Sequence, residues 1–326
     1  MTLPAVVADR LRLPVIAAPL FIISNPRLVI AACTAGIVGS FPALNARPAS
    51  ELERWLEEIT AALAAHDAAH PDRPAAPFAV NQIVHRSNER LEHDLAVCER
   101  FRVPITISSL GARREVNERI HGWGGIVLHD VISDRFARKA IDKGADGLIA
   151  VAAGAGGHAG TQSPFALVQE IRAWFDGPLA LSGAIACGRS ILAAEALGAD
   201  FAYIGSPFIA THEANASAEY KAAVTRATAE DVVYTNLFTG VHGNYLRESI
   251  VNAGLDPANL PSSDPSAMSF GGDRERKVKA WRDIWGAGQG LATVREVLPV
   301  AALVERLARE YAAASTALGA RRPWPV

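Results

Sequence analysis

Cysteine is scarce in this chain of 326 residues: Cys33, Cys98 and Cys187 are the only three, and no two of them form a C-x-x-C motif. An odd number of widely spaced cysteines excludes a disulfide framework and offers no set of zinc ligands. We therefore expect three thiols that are buried or partly buried. The predicted strands are not followed by a cluster of carboxylates either, so no metal site is expected.

The sequence also lacks an excess of charge and long apolar runs. Its 32 basic and 34 acidic residues give a formal net charge of −2, without the basic surplus that nucleic-acid binding uses. No apolar stretch reaches about 18 residues, and the first residues lack the basic and apolar segments of a secretory signal. These absences favour a globular cytoplasmic protein that binds neither nucleic acid nor membranes.

What the sequence does contain is a regular alternation of short apolar runs with helical patterns. The runs are continuous, which is typical of strands in a parallel sheet covered on both faces. Eight of them are predicted as strands: Leu13–Ala18, Ile37–Phe41, Phe78–Ile83, Pro104–Ser108, Gly125–His129, Gly147–Val151, Pro178–Ser182 and Phe201–Gly205.

Each predicted strand is followed by a segment with helical spacing. These segments are Asn25–Ala35, Ala49–His66, Ser87–Arg100, Arg113–His121, Ser133–Lys143, Pro164–Phe175, Arg189–Leu197 and Ala214–Arg226. Eight strand–helix pairs are the count of a (β/α)8 barrel, or TIM barrel. A doubly wound sheet is disfavoured because no G-x-G-x-x-G follows the first strand.

The alternation stops after the eighth strand. Residues 227–292 contain three prolines and the polar run SSDPSAMSFGGDRERK, which is too long and irregular for a simple connection. We predict a barrel core over 1–226, an excursion over 227–292 that covers the catalytic face, and a C-terminal helix and tail over 293–326, all in one domain. The last helix is predicted over Val294–Ala314.

In a barrel of this kind the active site lies at the carboxyl ends of the strands. The loops after strands seven and eight, Ser182-Gly183-Ala184 and Gly205-Ser206, are small enough for backbone N–H groups to approach an anion. They predict a phosphate-binding site, although small residues also suit close helix packing. The amide of Asn81, at the end of strand three, can either bind a heterocycle or tie two loops together.

The loop after strand six, AGAGGHAG, places His158 between glycines that let the backbone approach a ligand closely. An imidazole there can act as a base near neutral pH. Because a loop of small residues has no other evident reason to carry an imidazole, we predict a catalytic role for His158. His129, at the end of strand five, lies either in the pocket or behind it.

These pieces together resemble the nitronate monooxygenases, FMN-dependent barrels formerly called 2-nitropropane dioxygenases. The matching segments are PVIAAPL, FAVNQI, ITISSLG, AGAGGHAG, LSGAI, GADFAYIGSPFIAT and WGAGQG, in the expected order across residues 13–290. The resemblance implies that His158 is the catalytic histidine and that Phe238–Arg247 contributes to the substrate pocket, with Tyr245 and His129 as its candidates. The FMN-binding residues it implies are Ala18, Pro19, Asn81, Gly156, Gly157, Ser182, Gly183, Ala184, Gly205, Ser206 and Gln289.

The activity that the resemblance implies is oxidation of alkyl nitronates or nitroalkanes with O2 to carbonyl compounds and nitrite. FMN-dependent enoyl-acyl carrier protein reductases, which use NAD(P)H, look similar in the glycine–histidine loop and are the alternative, as is an oxygenase for another acidic C–H compound. The expected partners are a small-molecule substrate and O2, and the assembly state stays open, with a homodimer as one option. Val151 and Gly154 stand where many members have glutamine and glutamate, which makes the pocket less polar.

Overall fold

The computed structural model describes residues 7, 9–263 and 283–320. Residues 264–282, which include most of the polar run of the predicted excursion, and the tail 321–326 lie outside the described residues. Within the described residues, the bounds of the strands are β1 Val15–Ala17, β2 Gly39–Pro42, β3 Phe78–Ile83, β4 Ile105–Ser109, β5 Ile126–Val131, β6 Gly147–Val151, β7 Gly157–His158, β8 Leu179–Ser182, β9 Phe201–Ile204, β10 Val232–Thr235 and β11 Gly243–Leu246.

Eight of these strands form one parallel sheet in the order β1-β9-β8-β6-β5-β4-β3-β2. Hydrogen bonds close it: the Ala17 nitrogen donates to the Val38 carbonyl at 2.8 Å, and the Val38 nitrogen donates to the Val15 carbonyl at 3.0 Å. Ile16 and Val38 accordingly form a parallel bridge between the two ends of the sheet. The predicted (β/α)8 barrel is confirmed.

Helices surround this barrel, and most begin near their predicted starts. Their bounds are α1 Pro26–Thr34, α2 Glu51–Ala69, α3 Leu91–Arg100, α4 Arg114–Gly122, α5 Asp134–Asp142, α6 Pro164–Arg172, α7 Gly188–Leu197, α8 Ser206–Ile209, α9 Ala218–Arg226, α10 Arg247–Asn252 and α11 Val300–Gly319. Asn25 shows why α1 starts where it does, because its side chain accepts a hydrogen bond from the Leu28 nitrogen and Pro26 occupies the first turn.

Three helices begin at least four residues later than the sequence predicts, and one of them is the helix predicted over Ser87–Arg100, which starts at Leu91. The helix predicted over Ala214–Arg226 starts at Ala218, where the hydroxyl of Ser217 accepts a hydrogen bond from the Tyr220 nitrogen. The helix predicted from Val294 starts at Val300, directly after Pro299. Proline has no N–H to donate and a fixed φ, so it is suited to precede or open a helix rather than to lie inside one.

Alternation along the strands divides the apolar core into two layers. The residues that point into the barrel form one buried cluster, which includes Ile16, Val38, Ala79, Ile105, Ile107, Leu128, Ile149, Ala180 and Phe201. Their neighbours in sequence point outward and pack against the helices in two further clusters. Because side chains two apart share a face, the next inward residue of each strand lies at the mouth of the barrel.

The chain after the barrel returns to the carboxyl ends of the strands. There β10, β11 and β7 form a small antiparallel sheet, in which Gly243 pairs with His158 and Asn244 with Gly157. The side chain of Asn244, which is buried, also donates to the Ala155 carbonyl at 2.6 Å. The part of 227–292 that the structure describes thus contacts the histidine loop directly. The division into core, excursion and C-terminal segment stays a prediction.

None of the helices within the described residues is long and apolar enough to cross a membrane. The three thiols follow the expectation, since Cys33 and Cys98 are buried and Cys187 is partly buried. The described residues hold no group of three or more potential metal ligands.

Candidate active site

A cavity of about 1150 Å³ opens at the carboxyl ends of the strands. Ligand pockets commonly measure roughly 300–1,000 Å³, so this one has room for a cofactor together with a substrate. Its floor consists of the inward-facing residues at the strand ends, namely Ala18, Pro42, Asn81, Ser109, Asp130, Val151, Ser182 and Tyr203.

One end of the cavity is formed by the two small-residue loops. Gly183 and Ala184 both have positive φ, at 140° and 55°, and the backbone turns sharply there. In the part of the chain that the structure describes, the N–H groups of Gly183, Ile185 and Ser206 have no hydrogen-bond partner, although all three residues are buried and line the cavity. Buried N–H groups without a partner are costly, and converging ones suit an anion such as a phosphate group.

A chain of hydrogen bonds crosses the floor of the cavity. The Asn81 amide nitrogen donates to the Ile107 carbonyl at 3.0 Å and to the Ser109 hydroxyl at 2.7 Å. That hydroxyl donates in turn to an Asp130 carboxylate oxygen at 2.6 Å. Both N–H groups of Asn81 are therefore used within the protein, which leaves its carbonyl oxygen as the acceptor for a ligand.

Asp130 and Tyr203 are the titratable groups of the floor. Burial raises the pKa of Asp130, against the lowering effects of His129 and of hydrogen bonds from Ser109 and Leu110. The pKa of Tyr203 is raised well above its ordinary value by burial and by the neighbouring Asp130 carboxylate. Tyr203 is therefore a neutral hydroxyl at physiological pH, able to donate a hydrogen bond into the cavity.

His129 lies on the outward face of the same strand. Its two ring nitrogens each lie 2.8 Å from a carbonyl oxygen, that of Asp130 for Nδ1 and that of Gly111 for Nε2. Both ring nitrogens therefore lie at hydrogen-bond distance from backbone carbonyl oxygens, which only accept. An Asp130 carboxylate oxygen lies 4.0 Å from Nδ1. The structure thus leaves His129 no ring nitrogen for a substrate, although the residue contributes to the cavity lining.

His158 faces the cavity from β7, which pairs with β11. Its Nε2 lies 2.9 Å from the Thr239 hydroxyl oxygen, and that hydroxyl lies 3.0 Å from the Val241 carbonyl. When that hydroxyl donates to Val241, it accepts from Nε2, which then carries the ring hydrogen. Burial lowers the pKa of His158 to about 4, which keeps the ring neutral at physiological pH.

The glycines around His158 are explained by close packing. A Cβ on Gly156 would lie 2.7 Å from the Gly288 nitrogen, and Gly154 has a φ of 85°. Gly157 also has positive φ, at 69°, and faces open space at the cavity. The loop is therefore held between the barrel and the segment that returns after the excursion.

Two residues predicted for the site lie outside the lining. Tyr245 is buried at 1% exposure, edge-on to Phe238 with ring centroids 5.1 Å apart, and its hydroxyl interacts with Thr239. It therefore lies behind the residue that holds His158. Gln289 is exposed, and it contacts the histidine loop through its backbone nitrogen, which donates to the Gly154 carbonyl at 2.8 Å. Ala18, Pro19, Asn81, Gly156, Gly157, Ser182, Gly183, Ala184, Gly205 and Ser206 all line the cavity.

Sequence reasoning assigned no role to Asp130 or Tyr203, and it included Thr239 only as part of the pocket segment Phe238–Arg247. The first two could have been found by counting in twos along each strand, from Leu128 to Asp130 and from Phe201 to Tyr203. The same count places Asn81 inward and Gln82 outward, where Gln82 donates to the Cys98 sulfur at 3.4 Å. Thr239 gives no local signal because it reaches His158 from a position 81 residues later in the chain.

A model of the nitronate monooxygenase family matches residues 7–310, which is most of the chain. The chain belongs to the nitronate monooxygenase family. The predicted family is confirmed, and the protein is an oxidoreductase of a family that is generally flavin-dependent.

Relatives along the whole length agree with this family. The chain is 27% identical to the nitronate monooxygenase of Paraburkholderia phytofirmans over 91% of this chain and 92% of the relative. The nitroalkane oxidase of Streptomyces ansochromogenes superposes with a TM-score of 0.81 at 26% identity, covering 96% of this chain and all 100% of the other. FabK from Thermotoga maritima superposes with a TM-score of 0.75 at 23% identity, covering 98% and 99%, and shares the fold.

Proposed function

We propose that this protein is an FMN-dependent monooxygenase that oxidises alkyl nitronates with O2 to carbonyl compounds and nitrite. The observation that carries the proposal is one cavity in which the unpaired N–H groups of two loops lie at one end and His158 faces the same space. The structural similarity to a nitroalkane oxidase supports the substrate class.

The lining of the cavity fits FMN. The N–H groups of Gly183, Ile185 and Ser206 would hold the phosphate, since they are buried donors with no partner among the described residues. Ala18, Pro19 and the free carbonyl oxygen of Asn81 line the remaining length of the floor. FMN bound there supplies the electron acceptor that the oxidation of a nitronate requires.

His158 has the form that a weak general base needs. The hydrogen bond to Thr239 fixes the ring, and the low pKa keeps it unprotonated. With a neutral nitroalkane, the imidazole would accept the proton from the carbon next to the nitro group. Because a base with a pKa of about 4 is weak, a nitronate, which has already lost that proton, is the better substrate.

The enoyl reductase alternative has less support. The similarity to FabK shows a shared fold, and the described residues that line the cavity offer no feature that favours a nicotinamide over a nitronate. An oxygenase for another acidic C–H compound would use the same cofactor and the same base. The two alternatives differ from the proposal in which molecule reduces the flavin.

Anaerobic mixing tests the proposal. The FMN-loaded protein is mixed separately with a nitronate, NADH and NADPH, and the flavin absorbance is followed. We expect the nitronate to bleach the flavin rapidly and both nicotinamides to leave it unchanged. Bleaching by NADH or NADPH with none by the nitronate would support the reductase, and a preparation that takes up no FMN would reject the cofactor.

A further inference from the structure

The cavity lining includes apolar side chains from segments on both sides of the histidine loop, together with the charged Lys139. Two walls can be distinguished, one from the barrel side and one from the segment after the barrel. Their members are Val131, Ile132, Phe136 and Val151 in the first wall and Phe238 and Val241 in the second wall.

The first wall is joined to the histidine loop by close contacts. The Gly160 nitrogen, two residues after His158, donates to the Val151 carbonyl at 3.2 Å. A Cβ on Gly160 would lie 3.0 Å from the Cβ of Ile132, so the loop rests directly on this wall. Ile132 and Phe136 are 44% and 41% exposed, although both line the cavity. Large apolar side chains exposed together at a cavity indicate a surface that a ligand covers.

The second wall is joined to the other side of the same histidine. Phe238 and Val241 flank Thr239, whose hydroxyl contacts His158. The ring of Phe238 is held edge-on by Tyr245, and the Thr239 hydroxyl is fixed by the Val241 carbonyl. Both walls therefore lie around the imidazole, and contacts with other residues hold them in place.

We propose that the substrate carries an extended apolar group, such as a medium-length alkyl chain or a ring system of similar size, that lies between these two walls. The reacting carbon then lies at His158. This inference rests on the proposed function for the nature of the reacting group, but the apolar walls alone determine the preference for size. Each methylene that leaves water for such walls contributes about a threefold to fourfold gain in affinity.

Calorimetric titration under anaerobic conditions tests the inference. The FMN-loaded protein is titrated with nitroethane, 1-nitrobutane, 1-nitrohexane and 1-nitrooctane, and turnover of the corresponding nitronates is measured on the same preparation. We expect Kd to fall by about threefold to fourfold per methylene up to at least the hexyl chain. A Kd that does not change with chain length overturns the inference. Absence of nitronate turnover with the length dependence intact would reject the proposed function and leave the apolar site standing.

A pair of variants locates the effect. Phe136→Ser removes the largest side chain of the first wall and should reduce the dependence of Kd on chain length to about twofold per methylene or less. Phe165→Ser is the matched control, because Phe165 is 63% exposed on α6 but does not line the cavity. The control should keep the full dependence. If Kd depends equally on alkyl chain length in the two variants, the alkyl chain of the ligand binds elsewhere.

Discussion

At the scale of single residues, His158 is held from two directions. Its backbone pairs with Gly243 in the small antiparallel sheet, and its Nε2 contacts Thr239. Burial lowers the pKa of the ring to about 4. This arrangement produces a fixed, neutral and weakly basic imidazole at the cavity.

Replacing His158 separates proton removal from substrate binding. His158→Asn should lose roughly 10²-fold or more in rate with a neutral nitroalkane, the scale of a positioned general base. The preformed nitronate needs no base, so its rate should fall much less. The ratio of the two losses is measured in variants shown to retain FMN. Equal losses on both substrates would show that His158 orients the substrate instead.

Thr239 is predicted to act only through His158. Thr239→Val removes the hydroxyl while it keeps the shape, and we expect about a tenfold loss in rate with nitroalkane, the equivalent of one hydrogen bond. Thr239→Ser restores the hydroxyl and should recover most of the rate. The rates of both variants are compared at the same FMN occupancy. If valine keeps the rate and serine loses it, the methyl group of Thr239 matters and the hydrogen bond does not.

At the scale of elements, the strands and most helices could be predicted because apolar runs and capping residues are local signals. Pro299 shows the limit of such signals, because the helical pattern from Val294 continues through it while the structure begins the helix at Val300. The direction in which a strand-end side chain points follows from alternation, as Asp130 and Tyr203 show. Pairing between β7 and β11 could not be predicted, because it joins segments that lie far apart in sequence.

Gly183 is a poor position for testing the phosphate loop. A Cβ there would lie 2.7 Å from the Ala153 carbonyl oxygen, and its φ of 140° disfavours other residues. A larger side chain at this position would therefore disrupt the loop whether or not FMN binds. Ala184 is the better position because it is exposed to the cavity.

A charge at Ala184 tests the phosphate site directly. Ala184→Glu should weaken FMN binding at least tenfold, because two like charges near the surface about 4 Å apart repel by about 4 kcal/mol before screening by salt. Ala184→Gln has the same size without the charge and should weaken binding far less. Fluorescence titration with FMN gives both Kd values. Equal weakening in the two variants would place the phosphate elsewhere.

At the scale of the whole molecule, the barrel and the chain that follows it form one site together. The barrel supplies the floor and the two phosphate loops, and the later segment supplies Thr239, Phe238 and the pairing partner of His158. Partial burial of His158 between them should affect the stability of the entire protein.

The free energy of unfolding should depend on pH through His158. Its pKa is about 4 in the folded protein and 6.5 when exposed, so the unfolded chain binds a proton between these values that the folded chain does not. This stability is present above pH 6.5 and is lost as the pH falls toward 4. Between about pH 7.5 and pH 5 the loss is about 2 kcal/mol. Denaturant titrations should show that, over the same pH range, His158→Asn loses about 2 kcal/mol less free energy of unfolding than the unchanged protein does. An equal loss in both proteins would contradict a neutral His158 ring.

The most direct test of the account is to measure oxygen uptake and nitrite release together, with the FMN-loaded protein and a nitronate and without any nicotinamide. The account predicts that oxygen is consumed, that nitrite appears in proportion to it, and that both stop when FMN is removed and resume when it is restored. The account would be contradicted if the FMN-loaded protein consumed no oxygen and released no nitrite, and instead steadily reduced an enoyl thioester with NAD(P)H.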